Sequence, residues 1–150
     1  MKKILLTLMI MYSYSMADLA CSILPFQENP NMEPCLKVIE SYENDKTLTN
    51  EKRRKLIRDN SFPAASGFEK LGKYTQAAEM WEKSIANGDC EAGDGCNAKN
   101  MLAILYASGK GVQMNHIKAY ELFRDALKNG NVDAQGNLDI LCSKSPWACK

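Results

Sequence analysis

From position 61 onward, apolar residues recur every three or four positions, and the pattern is written twice. At an offset of 42, Ala77, Met80, Trp81 and Ile85 are answered by Ala119, Leu122, Phe123 and Leu127. Glu79 meets Glu121, and Asn87-Gly88 meets Asn129-Gly130, at the same offset. The spacing predicts two equivalent amphipathic helices. Each closes at Asn-Gly, where glycine accepts the left-handed backbone of a helix C-terminus. A second set repeats at an offset of 36: Ala98 with Ala134, Leu102 with Leu138, Ile104 with Ile140, Leu105 with Leu141. These predict the first helices of successive helix-turn-helix hairpins. The offsets differ by six, and the excess is expected before Gly109 to Asn115, a longer turn than Leu71-Gly72-Lys73. No run alternates apolar and polar residues as a half-buried strand does. The pattern therefore predicts an all-α fold. Hairpins stack in a row because one hairpin cannot cover its own apolar face. Ala77, Ala98, Ala103 and Ala119 would let helices approach closely, and Trp81, Tyr106, Leu122 and Phe123 would fill the space between layers.

Residues 18–60 are written differently and are expected to form an N-terminal helical segment ahead of the repeats at 61–150. Pro25, Pro30 and Pro34 mark an irregular start. Leu36, Ile39 and Tyr42 recur at helical spacing just after Pro34, which suits the first turn of a helix. Glu43-Asn44-Asp45 signals a turn, and Glu51 to Arg58 reads as a basic, partly amphipathic helix. Its run Lys52-Arg53-Arg54-Lys55 is expected to be a solvated face.

Residues 1–17 read as a secretory signal. Lys2 and Lys3 precede an apolar stretch, Ile4 to Tyr14, too short to span a bilayer as a helix. Ser15-Met16-Ala17 then offers small residues for cleavage after Ala17. A lipid anchor on Cys21 is the lesser alternative, because Asp18 stands where such a signal wants leucine. The mature chain is expected in the periplasm or outside the cell, with no transmembrane segment. The net charge of +1 becomes −1 once Lys2 and Lys3 are removed, with 17 basic against 18 acidic residues. That balance supplies no attraction to nucleic acid. All six cysteines, Cys21, Cys35, Cys90, Cys96, Cys142 and Cys149, lie in the mature part. An even count in a small exported chain suggests a disulfide framework. Many connectivities are open, and proximity in sequence favours Cys21–Cys35, Cys90–Cys96 and Cys142–Cys149. Zinc is the weaker reading, since no Cys-x-x-Cys occurs and His116 is the single histidine.

The stretch Ala98 to Ala134 carries a family resemblance. Leu105-Tyr106, Gly109-Lys110-Gly111-Val112, Lys118-Ala119, Phe123, Ala126 and Gly130 stand where the Sel-one-like repeat, a relative of the tetratricopeptide repeat, has its signature residues. Asn115 departs from the acidic residue usual there. The resemblance covers one full repeat closely and, more loosely, the chain from Phe68 onward. It implies a short right-handed α-solenoid whose concave face binds peptides or proteins. An exported, cysteine-rich branch of the family carries a disulfide in each repeat, and some of its members are classed as penicillin-binding proteins or β-lactamases. Here Cys90/Cys96 and Cys142/Cys149 enclose five and six residues, shorter than that branch prefers, and 130–133 lacks a cysteine where its pattern has one.

Chemistry is sparse. No serine has lysine three residues on, so the Ser-x-x-Lys device of serine β-lactamases is missing. His116 reads as a surface residue at a helix start. Gly109-Lys110-Gly111 lacks the length and ending of a phosphate loop and reads as a tight turn. Asp89, Glu91 and Asp94 lack calcium-loop spacing. Trp147 is expected to pack on the last helix. Nothing calls for a cofactor or metal, and no catalytic residues are assigned. The sequence thus points to an exported interaction module for a protein or peptide, such as an immunity or scaffold protein. Its groove would be lined by Asn100, Met101, Asn137 and Asp139. The alternative is a weak cysteine-rich β-lactamase.

Overall fold

The computed structural model describes residues 21–23, 27–28, 30–91 and 96–150. The signal segment and its cleavage point lie outside these residues. From Glu33 onward the α-helices follow one another: α1 (Glu33–Asn44), α2 (Asn50–Lys70), α3 (Tyr74–Ala86), α4 (Asn97–Ser108), α5 (His116–Lys128) and α6 (Asp133–Lys144). A 3-10 turn, Pro146–Cys149, closes the chain. Each helix packs mainly on its neighbours in sequence, and no strand occurs among the described residues. The protein is a disulfide-stapled helical solenoid.

The two repeat offsets reappear as element boundaries. Both ends of α3 and α5 are related by the offset of 42, and both ends of α4 and α6 by the offset of 36. Equivalent residues do equivalent work. Ala77 and Ala119 are fully buried, as are Trp81 and, nearly so, Phe123. Gly88 and Gly130 carry φ of 95° and 96° just past their helices, the left-handed turn that glycine takes without a Cβ penalty. The next residue of each loop, Asp89 or Asn131, is buried and caps the following first helix. Asp89 Oδ2 accepts the Ala98 N–H at 3.1 Å, and Asn131 Oδ1 accepts the Ala134 N–H at 3.0 Å.

These two caps locate the six-residue excess, and it is not before Gly109. Asp89 lies nine residues before the amide it caps, whereas Asn131 lies three before its own. The extra residues therefore sit between α3 and α4. The Cys90–Cys96 disulfide spans that loop and brings its two ends together. Cys96 carries the one positive φ of a non-glycine residue among those described, 51°, as the chain turns back into α4.

A second departure concerns the start of the repeats. The step from residue 60 to residue 61 falls inside one helix: α2 runs from Asn50 to Lys70, straight through Pro63. Proline removes one backbone bond, to the Asp59 carbonyl, and ordinarily breaks a helix. Here Ala64, Ala65, Gly67 and Phe68 are all buried on a helix that packs closely on α3, so packing carries the helix past that defect. Thr49 caps its N-terminus, accepting the Lys52 N–H. Arg53, inside the basic run, holds the preceding turn by donating to the Asp45 and Leu48 carbonyls. Lys55 instead pairs with Asp59 one turn on.

The core has two parts. The larger gathers Ile39, Tyr42, Ile57, Phe68 and Trp81 from α1 to α3 with Leu102 and Leu105 from α4. The smaller centres on Ala103, Ala119, Phe123, Ala126 and Leu141. Tyr106 and Leu122 touch both and form the seam. Trp81 packs edge-on against Phe62, with ring centroids 4.8 Å apart, and donates its Nε1–H to Glu69 Oε1 at 3.2 Å.

Three disulfides join Cys21–Cys35, Cys90–Cys96 and Cys142–Cys149, leaving no free cysteine. These are the couples favoured by proximity in sequence. Such a set belongs to an oxidising environment, extracellular or periplasmic. With its sulfur bonded to Cys35, Cys21 has none to offer a lipid thioether. Among the described residues, no helix is long and apolar enough to cross a membrane.

The packing makes two expectations testable. Gly111 sits in the α4–α5 turn at φ 70°, and a Cβ there would lie 2.2 Å from the Tyr74 carbonyl carbon at the start of α3. The obstacle is backbone and cannot rotate away. Gly111→Ala is expected to cost about 2–4 kcal/mol, from the left-handed φ and the overlap together, read as a lowered urea midpoint. Glu69 provides the second. Burial raises its carboxyl above the ordinary carboxylate value, against the lowering effects of the Trp81 hydrogen bond and the Lys110 charge. A carboxyl raised on folding stabilises the fold only in its protonated form. That contribution is full below the unfolded-state pKa and is lost as pH rises through the elevated folded value. Glu69→Gln keeps an acceptor for Trp81 and sheds the charge. It is expected to raise Tm at pH 7, with the gain shrinking to nothing as pH falls below the carboxylate range. A gain independent of pH would contradict this.

Candidate functional site

The last two first-helices, α4 and α6, lie side by side and are tied by side-chain amides. Asn131 Nδ2 donates to Asn97 Oδ1 at 2.7 Å, and Asn137 Nδ2 donates to Asn100 Oδ1 at 2.9 Å. Asn100 is buried by this pairing. Beyond it the two helices and α5 enclose a cleft of about 350 Å³. Helix α4 contributes Ile104, Ala107 and Ser108, and α5 contributes His116 and Phe123. Asn137, Ile140, Leu141 and Lys144 come from α6. These positions follow from helical period: Asn100, Ile104 and Ser108 are one stripe at i, i+4, i+8, and Asn137, Leu141 and Lys144 another at i, i+4, i+7.

Of the four groove residues expected from sequence, Asn137 lines the cleft and Asn100 is bonded to it. The other two are placed elsewhere. Met101 packs into the larger core. Asp139 is exposed and accepts from Gln135 Nε2 at 2.8 Å along its own helix. One residue past Asn100 and two past Asn137, the helix has already turned these side chains away.

His116 is not a bare surface residue. Its Nε2 lies 3.2 Å from the Ala107 carbonyl and its Nδ1 2.7 Å from Ser145 Oγ. A carbonyl only accepts, so the neutral ring carries its proton on Nε2, and Nδ1 takes the Ser145 hydroxyl proton. The His116 ring also stacks on Trp147, with centroids 5.7 Å apart at 26°. Trp147 does not bury itself on α6; it stays 60% exposed with this one ring beneath it. Ile140, which lines the cleft, is 55% exposed. The missed signal was the joint placement of His116 and the Ser145–Cys149 turn, which are distant in sequence and share no local pattern.

The Ser145 hydroxyl, 2.7 Å from the His116 nitrogen, has the spacing of a nucleophile and its base. Two observations direct it elsewhere. Ser145 is only 5% exposed and is not among the residues lining the cleft. The second histidine nitrogen meets a backbone carbonyl rather than a carboxylate. The pair fastens the C-terminal turn onto α5, assisted by the Cys142–Cys149 bridge.

Asp89, Cys90 and Cys96 bring three ligand-type atoms within 4.8 Å of one another. Both sulfurs are bonded to each other and the carboxylate caps Ala98, so the cluster is a bridge and a cap. The Glu91 side chain and Asp94, weighed as calcium ligands, lie outside the described residues. No protein-family model matches the chain, and no curated protein or solved structure is significantly similar to it.

The latch gives a direct test. His116→Ala leaves the buried Ser145 hydroxyl without its partner and is expected to cost roughly 1–2 kcal/mol. Because Trp81 is fully buried, acrylamide quenching reports mainly on Trp147. Quenching should rise in His116→Ala, and unchanged quenching would show that the stack does not hold the turn.

Proposed function

We propose that the protein is an exported interaction module that accepts a short peptide segment of a partner protein in the cleft between α4, α5 and α6. One observation supports this above others. The cleft is concave and mostly apolar, is edged by the exposed Ile140, and carries two polar side chains, Asn137 and Lys144, along one wall. Ligand sites characteristically combine an apolar lining with a few placed polar groups. The resemblance of Ala98 to Ala134 to the Sel-one-like repeat points the same way, since that family binds proteins on its concave face. An immunity or scaffold role in the periplasm fits both, with the cleft as the contact that confers specificity.

The enzymatic alternative, a β-lactamase of the cysteine-rich branch, gains no support from the site, where the one serine beside a base is shielded from the cleft.

The test is selection of random peptides on the oxidised protein, followed by binding to Ile140→Asp. Ile140 is largely exposed, so the substitution spares the core while placing a charge on the apolar wall. Selected peptides are expected to bind the variant at least about tenfold more weakly, a loss of about 1.4 kcal/mol or more. Peptides that bind the variant as well as the parent would place the interaction elsewhere, and failure to select any would count against the reading as a whole.

A further inference from the structure

We propose that the junction between α3 and α4 has a second, metal-bound state: when the Cys90–Cys96 bridge is reduced, Asp89, Cys90 and Cys96 bind a thiophilic divalent cation of the zinc class, which closes the loop in place of the bridge. Asp89 carries a charge that its capping role does not require. Asp89 and Asn131 stand in equivalent places and cap Ala98 and Ala134 alike, so a neutral amide is enough for the cap. Position 89 nevertheless holds a carboxylate, only 2% exposed, where desolvation penalises the charge. The same junction, and not the later one, carries the inserted loop with its two cysteines. Charge and sulfur converge there: a carboxylate oxygen and both Sγ atoms lie within 4.8 Å of one another.

The set matches what zinc takes. Thiolates roughly 2.3 Å and a carboxylate oxygen roughly 2.0 Å from a tetrahedral ion stand roughly 3.5–3.8 Å apart. The Cys90 and Cys96 Cα atoms are 4.4 Å apart, so the sulfurs stay neighbours without their bond. The Ala98 N–H on Asp89 Oδ2 orients the carboxylate, as outer partners of metal ligands do. Three protein ligands leave a fourth position for water. Asp89 also lines a cleft of about 450 Å³ with Ser84 and Asn97, which gives an ion a way in. Arg58, the cation lining that cleft, is paired with Asp59.

Position in the fold decides which bridge opens. Cys21 and Cys35 are fully buried and closed to attack. Cys142 lies in the last turn of α6, where the negative end of the helix opposes a thiolate. Cys96 stands at the N-cap of α4, where the first amides of the helix favour a thiolate, and its partner Cys90 is partly exposed. A dithiol reductant attacks Cys90 Sγ and Cys96 leaves as the thiolate. The dithiol's second sulfur then releases Cys90 as the reductant closes to its own disulfide. Asp89 repels the thiolates so formed. A divalent cation displaces the two thiol protons and turns that repulsion into attraction, so reduction and metal binding favour each other.

The experiment treats the folded protein with limiting phosphine, removes it, maps free thiols by alkylation and mass spectrometry, and titrates with Co²⁺ and then Zn²⁺. Cys90 and Cys96 are expected to be labelled before Cys142 and Cys149. The reduced protein should take up a single Co²⁺ with a thiolate-to-cobalt charge-transfer band that Zn²⁺ abolishes, and the oxidised protein should show no band. Asp89→Asn keeps an acceptor for the Ala98 N–H, as Asn131 does for Ala134. With its circular dichroism unchanged, this variant is expected to bind Co²⁺ at least about tenfold more weakly. Undiminished affinity in Asp89→Asn, no band in the reduced protein, or earlier opening of Cys142–Cys149 would overturn the inference. Helix content lost on reduction and not restored by Zn²⁺ would overturn it as well.

Discussion

A helix that starts inside a protein has backbone N–H groups with no partner of their own, and burying them bare is expensive. In a row of helical hairpins this problem recurs at every junction, because each new first helix starts against the helix before it. Here the same kind of side chain solves it twice. Asp89 and Asn131 each stand one residue past the glycine that ends a second helix. Each is almost fully buried and turns its side-chain oxygen onto the amide of an alanine, Ala98 or Ala134, that has no exposed surface at all. The alanine lets the helices close; the close approach shuts out water; the side-chain oxygen replaces it. The stacking of α4 and α6 follows from that local arrangement, and so does the line of asparagines that binds them to each other.

The same constraint explains the position of one disulfide. An insertion between α3 and α4 would ordinarily carry the capping residue away from the helix it serves. The Cys90–Cys96 bridge closes the inserted loop, so Asp89 reaches Ala98 across nine residues as Asn131 reaches Ala134 across three. The other two bridges act at the ends of the described chain. Cys21–Cys35 ties the segment before α1 to its first turn, and Cys142–Cys149 folds the last residues back beside α6. Links of this kind typically contribute about 2–4 kcal/mol by limiting the unfolded chain. A solenoid this short has little core with which to replace them.

Much of the solenoid was legible because its two halves are spelled alike. The offsets of 42 and 36 survive as helix boundaries, since Ala77, Trp81 and Ile85 must repeat wherever the same packing repeats. What escaped had physical reasons. The helix expected over Glu51 to Arg58 runs on to Lys70 through Pro63, where the burial of Ala64, Ala65 and Phe68 outweighs the lost backbone bond. The six extra residues were assigned to the wrong loop because the two offsets record a difference in length and not its location; the caps reveal the location. For the groove, the asparagines were visible as the matched stripe of two first helices. Their continuation to Ile104, Ser108 and Lys144 required only the helical period. Met101 and Asp139 lie off that stripe. His116 and Ser145 were beyond reach, since nothing local links a turn at Ser145 to a helix start at His116.

The cleft is walled by two first helices that differ in what covers them. Ile104 and Ile140 occupy the same place in successive repeats, yet Ile104 is half covered within the smaller core and Ile140 stands in water. Helix α4 is followed by the second helix α5, which packs against it. After α6 comes the 3-10 turn Pro146–Cys149, held by one disulfide and by the Ser145–His116 hydrogen bond. Ile140 stays exposed on α6, as does Trp147 in the turn beside it. The histidine that fastens the turn is also a wall of the cleft. Anchoring the turn and shaping the cleft are therefore tasks that share a residue.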